Sequence, residues 1–312
     1  MIPGPRQLAR IAALGLTARQ IVEGLSTGRH RSPHKGFSVE FRQHRSYVPG
    51  DELRSIDWKA FGKSDRLYIR EYDDETNLRC HLLVDRSGSM LYAGDRARGP
   101  GGKPISKLRY AQTLAAAVAH LMIQSQDQVG VLTFDSSVRD VVPCRGRGSH
   151  LRAILAALTR TGDHGQTDLA AVVTAAAAKI GRRGLVVLIT DGGGDIEALA
   201  ESLALLRSRK HEIILFQISD PDEIDLDLGG RIRFEDLEGR LADQTIDVRD
   251  IVAAYRQRRA EFDRRITEVC RRNRVDRVAV STDVDVGEML AEYLSRRRSV
   301  GSAAGALAET SR

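Results

Sequence analysis

The chain has 312 residues, 42% of them hydrophobic and 29% charged. That is the balance of a soluble protein with a real core, long enough for one large α/β domain and an appendage. Only three cysteines occur, Cys80, Cys144 and Cys270, with no Cys-x-x-Cys pair. A zinc knuckle and a disulfide framework are therefore unsupported, and a reducing cytoplasm is the expected setting. The formal charge of +6 sits in residues 1–72, which carry 13 Lys and Arg against 7 Asp and Glu. At that density, arginines pairing with nearby acids explain the excess better than a nucleic-acid groove does. The opening Met1-Ile2-Pro3-Gly4-Pro5-Arg6 lacks the layout of a signal peptide. The longest uncharged stretch, Tyr110 to Gln126, holds three glutamines and His120, too polar to span a bilayer.

Taken in order, residues 5–25 place Leu8, Ile11, Leu14, Ile21, Val22 and Leu25 at helical spacing, and we assign residues 1–28 to an N-terminal amphipathic helix. Residues 29–77 form a basic, β-rich module: Phe37, Val39 and Phe41 alternate with polar residues, Pro49-Gly50-Asp51 marks a turn, and Leu67, Ile69 and Tyr72 suggest a second strand. Trp58 is expected to anchor this module by burial.

From residue 78 the pattern becomes regular. Strands are predicted at 79–84, 129–134, 185–189, 212–218 and 277–280, with an antiparallel edge at 138–142. Helices are predicted near 106–125, 149–159, 168–180, 195–209, 248–273 and 285–296. Ile251, Tyr255, Phe262, Ile266 and Val269 give the helix at 248–273 one apolar face. This alternation predicts a doubly wound, mostly parallel sheet with helices on both faces over residues 78–299. Residues 300–312 are expected to be a flexible tail.

Three stretches carry chemistry. The apolar run Leu82-Leu83-Val84 ends in Asp85-Arg86-Ser87-Gly88-Ser89, an acid and two hydroxyls at the carboxyl end of a buried strand. Gly165-Gln166-Thr167-Asp168 presents a hydroxyl at a helix amino end. Ile189-Thr190-Asp191-Gly192 places a second acid at the end of another buried strand. In open parallel sheets ligands bind at those ends, so Asp85, Ser87, Ser89, Thr167 and Asp191 are candidates to converge. Hard oxygen donors suit Mg2+, or Mn2+ or Ca2+, better than zinc. No histidine lies in these stretches, and His164 nearby is more simply read as a solvated loop residue. A Gly-x-Ser-x-Gly elbow is absent, and Pro104 spoils Gly101-Gly102-Lys103 as a phosphate loop. No nucleophile, base or nucleotide-binding motif emerges, so the expectation is a protein that is not an enzyme.

The order Asp-x-Ser-x-Ser, Gly-x-Thr, Ile-Thr-Asp-Gly resembles the metal-ion-dependent adhesion site of von Willebrand factor A domains. The resemblance implies a von Willebrand A-like fold in which Ser87 and Ser89 bind the ion directly, Thr167 directly or through water, and Asp85 and Asp191 mainly through water. Upstream, Glu40-Phe41, Arg45-x-Tyr47, Pro49-Gly50-Asp51, Arg54-x-Ile56-Asp57-Trp58 and Arg70-Glu71 resemble the bacterial domain of unknown function 58 family. So do Asp220-Pro221-Asp222-Glu223, the stretch from Arg233 to Glu238, Tyr255, Thr282 and Tyr293-Leu294. That resemblance implies an adaptor working with a MoxR-type AAA ATPase and with a client protein presenting an acidic side chain. Two other readings stand beside it. One is nucleic-acid binding through residues 29–70, which few aromatics and many acids disfavour; the other is a metal-dependent phosphoesterase.

Overall fold

The computed structural model describes residues 5–27, 40–46, 62, 68–73, 78–99, 102–160, 169–181, 183–235, 237 and 243–309. The chain opens with helix α1 (Pro5–Thr27) and an antiparallel hairpin, β1 (Glu40–Ser46) with β2 (Tyr68–Asp73). The main domain then runs β3 (Arg79–Asp85), α2 (Lys107–Gln124), β4 (Gln128–Phe134), β5 (Val138–Arg145), α3 (His150–Leu158), α4 (Leu169–Lys179) and β6 (Gly184–Thr190). It continues with α5 (Ile196–Ser208), β7 (His211–Ser219), α6 (Pro221–Asp225), β8 (Arg231–Phe234), β9 (Gln244–Asp247), α7 (Val248–Arg272), β10 (Asp276–Ser281) and α8 (Val286–Glu309).

Six strands form one sheet in the order β10-β7-β6-β3-β4-β5. All neighbours are parallel except β4 and β5, the antiparallel edge expected at 138–142. β3 lies at the centre because it is apolar on both sides: Leu82, Leu83 and Val84 are all fully buried. Successive side chains of a strand point to opposite faces, and the two cores follow that alternation. Leu82 and Val84 join Ile11 and Leu14 of α1, the alanines of α2, Ile154 of α3 and Leu290 of α8 on one side. Leu83 joins Val172 and Val173 of α4, Leu199 and Leu203 of α5, and Ile266 of α7 on the other. The fold is α/β, a doubly wound, mostly parallel sheet with helices on both faces and a small N-terminal β hairpin.

The expected apolar face of α7 is in place. Ile266 is buried, Phe262 and Val269 pack against the second core, and Tyr255 donates to the Glu223 carbonyl at 2.6 Å. Arg271 and Arg272 face solvent and pair with Glu268, whereas the partly buried Arg259 pairs with Asp263 and donates to Ser219 Oγ.

Several expectations need correction. The first N-terminal strand is described over Glu40–Ser46, with a bulge between Phe41 and Gln43 that interrupts strict alternation along it. Phe37, Val39, Trp58 and Leu67 lie outside the described residues. Helical backbone extends to Glu309, into the stretch read as a tail. Between residues 219 and 248, where no element was expected, the structure has α6 and the β8–β9 hairpin. Those strands are only four residues long and half-exposed, with charges at alternate positions of β8.

Candidate functional site at the sheet's switch point

From β3 the chain goes to β4 and β5 on one side, then crosses to β6 on the other. The strand order therefore reverses between β3 and β6, and in open parallel sheets ligands bind outside the carboxyl ends of strands at such a point. Asp85 is the last residue of β3, and Thr190 the last of β6. Four of the five candidate residues, Asp85, Ser87, Ser89 and Asp191, are gathered there. Thr167 lies outside the described residues, as does His164.

Asp85 has no solvent exposure. Its Oδ1 accepts the Ser87 amide at 2.9 Å, and its Oδ2 accepts the Thr190 hydroxyl at 2.6 Å. These bonds fold the loop back over the strand end. A 3-10 turn over Gly88–Leu91 follows, and it brings Ser87 Oγ and Ser89 Oγ within 3.1 Å of each other. Two oxygens in neighbouring positions of an octahedral Mg2+ shell, at Mg–O distances of about 2.0–2.1 Å, would be about 2.9 Å apart. The hydroxyl pair therefore fits one edge of such a shell. Among the described residues no group of three or more His, Cys, Asp or Glu could hold a metal ion, so any ion here would rest on hydroxyl donors with acids one step behind.

Asp191 leads into a tight turn. Gly192 has φ of +80°, a left-handed conformation that favours glycine, and a side chain there would also meet Ile266. The turn aims the Gly193 amide at Asp191 Oδ1, 3.1 Å away, while the Gly192 amide donates to Thr190 Oγ1. Thr190 thus both receives a hydrogen bond and passes one to Asp85.

The two acids are driven apart electrostatically. Burial, and then the negative charge of Asp191, push the Asp85 carboxyl up to about 7, although its hydrogen bonds with Thr190 and Ser87 pull the other way. Burial acts on Asp191 too, but there the Lys107 ammonium, the Gly193 amide and the Ser89 hydroxyl outweigh it, and the carboxyl stays below its ordinary value.

Sequence reasoning missed Lys107. It is the first residue of α2, 1% exposed, and its Nζ donates to Asp191 Oδ2 at 3.0 Å and to Glu223 Oε1 at 2.5 Å. Glu223 in turn closes a capping box on α6: its Oε2 accepts the Asp220 amide at 2.9 Å, while Asp220 Oδ1 accepts the Asp222 amide at 3.0 Å. The Asp-x-x-Glu spacing of that box was readable; the lysine's reach was not, since its partners lie 84 and 116 residues away.

Residues 43–269 match the family described as protein of unknown function DUF58. The chain belongs to that family. Uncharacterized proteins of Mycobacterium bovis and Mycobacterium tuberculosis are 27% identical to it over 240 residues, covering 76% of this chain and 73% of theirs. Among solved structures, an aerotolerance-related membrane protein from Bacteroides fragilis aligns over 70% of this DUF58 chain and 97% of its own, with 15% identity and a TM-score of 0.45. BatB from Bacteroides thetaiotaomicron covers 70% and 98% at 16% identity, TM-score 0.40. The SpRpn10 VWA domain covers 69% and 94% at 8% identity, TM-score 0.40.

Proposed function

We propose that this DUF58 protein is a metal-dependent protein-interaction module rather than an enzyme. A von Willebrand A-like fold suggests a protein-interaction module; dependence on a metal is our reading of the switch-point rim. One observation carries it: the Ser87 and Ser89 hydroxyls converge to 3.1 Å beside Asp191. Ser87, Ser89 and Thr167 would hold Mg2+, or Mn2+ or Ca2+, with Asp85 and Asp191 one step behind. When bound, the ion supplies a positively charged coordination position for a partner's carboxylate. Asp85 holds the Ser87 loop in shape through that residue's amide, Thr190 fixes Asp85, and Asp191 is oriented by the Gly193 amide.

Neutral donors leave most of the ion's charge uncompensated, which favours capture of an acidic side chain. A hydrolase would need, in addition, a positioned base and a group to stabilise developing charge. The partner we propose is a MoxR-type AAA ATPase, with this protein as adaptor to an acidic client, and the setting we propose is cytoplasmic. Among the described residues no helix is long and apolar enough to cross a membrane.

The test is Asp85→Ala. It is expected to abolish Mg2+ binding in calorimetry, and with it capture of the ATPase, while the far-ultraviolet circular dichroism spectrum is retained. Mg2+ binding unchanged in that variant, or turnover of generic phosphoesters by the wild-type protein, would overturn the reading.

A further inference from the structure

Lys107 is in an unexpected place for a lysine. It opens a helix, where the backbone dipole disfavours a cation, and it is buried, where an ammonium loses its hydration. Removing charges from water costs so much that buried pairs are weak evidence for stability. Its two carboxylate partners come from different elements, the end of β6 and the first turn of α6. Asp191 meanwhile is nearly saturated by the chain's own donors: Lys107 on Oδ2, the Gly193 amide on Oδ1, and the Ser89 hydroxyl. The rim thus already contains a positive charge on the acid that a divalent ion would use.

We propose that Lys107 is the resident counter-ion of the rim, competing with a divalent cation for Asp191 and so holding the site's affinity for that cation low. This rests on the metal-dependent reading above. Glu223 shares the ammonium and, through its capping box, ties that competition to α6. A weakly held ion with little of its charge cancelled by the protein is one that an incoming carboxylate can help to retain. Metal and acidic partner would then bind cooperatively.

The experiment uses the full chain and Mg2+ alone, titrated by calorimetry and followed by the shift in melting temperature. Wild type, Lys107→Met and Lys107→Gln are compared, with Asp85→Ala as reference. The glutamine variant keeps a hydrogen-bond donor in case the methionine variant folds poorly. Removing the ammonium is expected to tighten Mg2+ binding roughly tenfold or more, the order expected for one unit charge a few ångströms from the acid in a partly buried site. The stabilisation gained from Mg2+ should be larger in both variants than in wild type. The difference should persist when ionic strength is raised, because a direct buried contact is screened far less than long-range surface charge.

Equal or weaker Mg2+ binding in the Lys107 variants, with wild type binding and Asp85→Ala silent, would overturn the counter-ion role and leave the metal site standing. A gain that vanishes at high salt would also overturn it. Binding that emerges only in the Lys107 variants would support the proposal in its strongest form. No binding in any variant would end both.

Discussion

Asp85 and Asp191 carry the same functional group at one rim of the sheet, and their surroundings give them opposite behaviour. Asp85 is raised because it is fully buried beside another acid; Asp191 is lowered because an ammonium and an amide meet it. Divergent acids mark a site arranged for charge. The same physics acts on His81 in β3, whose imidazole falls from 6.5 to about 4 through burial and the nearby His211 and Arg79. The folded protein therefore holds His81 neutral at a pH where the unfolded chain protonates it. Its contribution to stability is complete above about 6.5 and is lost as pH falls toward 4. At 1.36 kcal/mol per pKa unit the loss is at most about 3.4 kcal/mol, less where water reaches the ring. His81→Asn is expected to reduce the acid-side slope of the melting temperature between those pH values. An identical slope in the variant would show that the imidazole does not titrate as described.

At the scale of elements, α1 is an integral wall of the first core rather than an appendage. Leu14 and Ala18 have no solvent exposure, and Gly15 comes close enough to Leu155 of α3 that an added methyl would sit 3.0 Å from it. Leu14→Ala should cost about 2–5 kcal/mol, the usual range for a buried leucine, measured by urea denaturation. A loss below 1 kcal/mol, typical of exposed positions, would mean that α1 packs only loosely. Elements were legible in the sequence to the degree that burial is periodic. β3, β4, β6 and β7 read as apolar runs and α2 as an alanine-rich helix, and all were placed within a residue or two. The β8–β9 hairpin was not legible, because Arg231–Phe234 and Gln244–Asp247 bury little and exist by pairing with each other.

At the scale of the molecule, one sheet separates two cores that share no buried residue. Leu14 belongs to one and Leu203 of α5 to the other, so their truncations to alanine should be energetically independent. The double variant is expected to lose the sum of the two single losses within about 0.5 kcal/mol. A larger discrepancy would show that strain passes through the sheet.

The amino-acid order alone determined the alternation of strands and helices, the antiparallel edge, and which acids and hydroxyls stand at strand ends. Each of those follows from burial patterns a few residues long. Only the tertiary structure decided that Thr190 would hold Asp85 across 105 residues of sequence, and that Lys107 would bridge Asp191 and Glu223. The physical reason is that side chains at a switch point meet through the order of the strands. Periodicity along one segment carries no information about which strand becomes its neighbour.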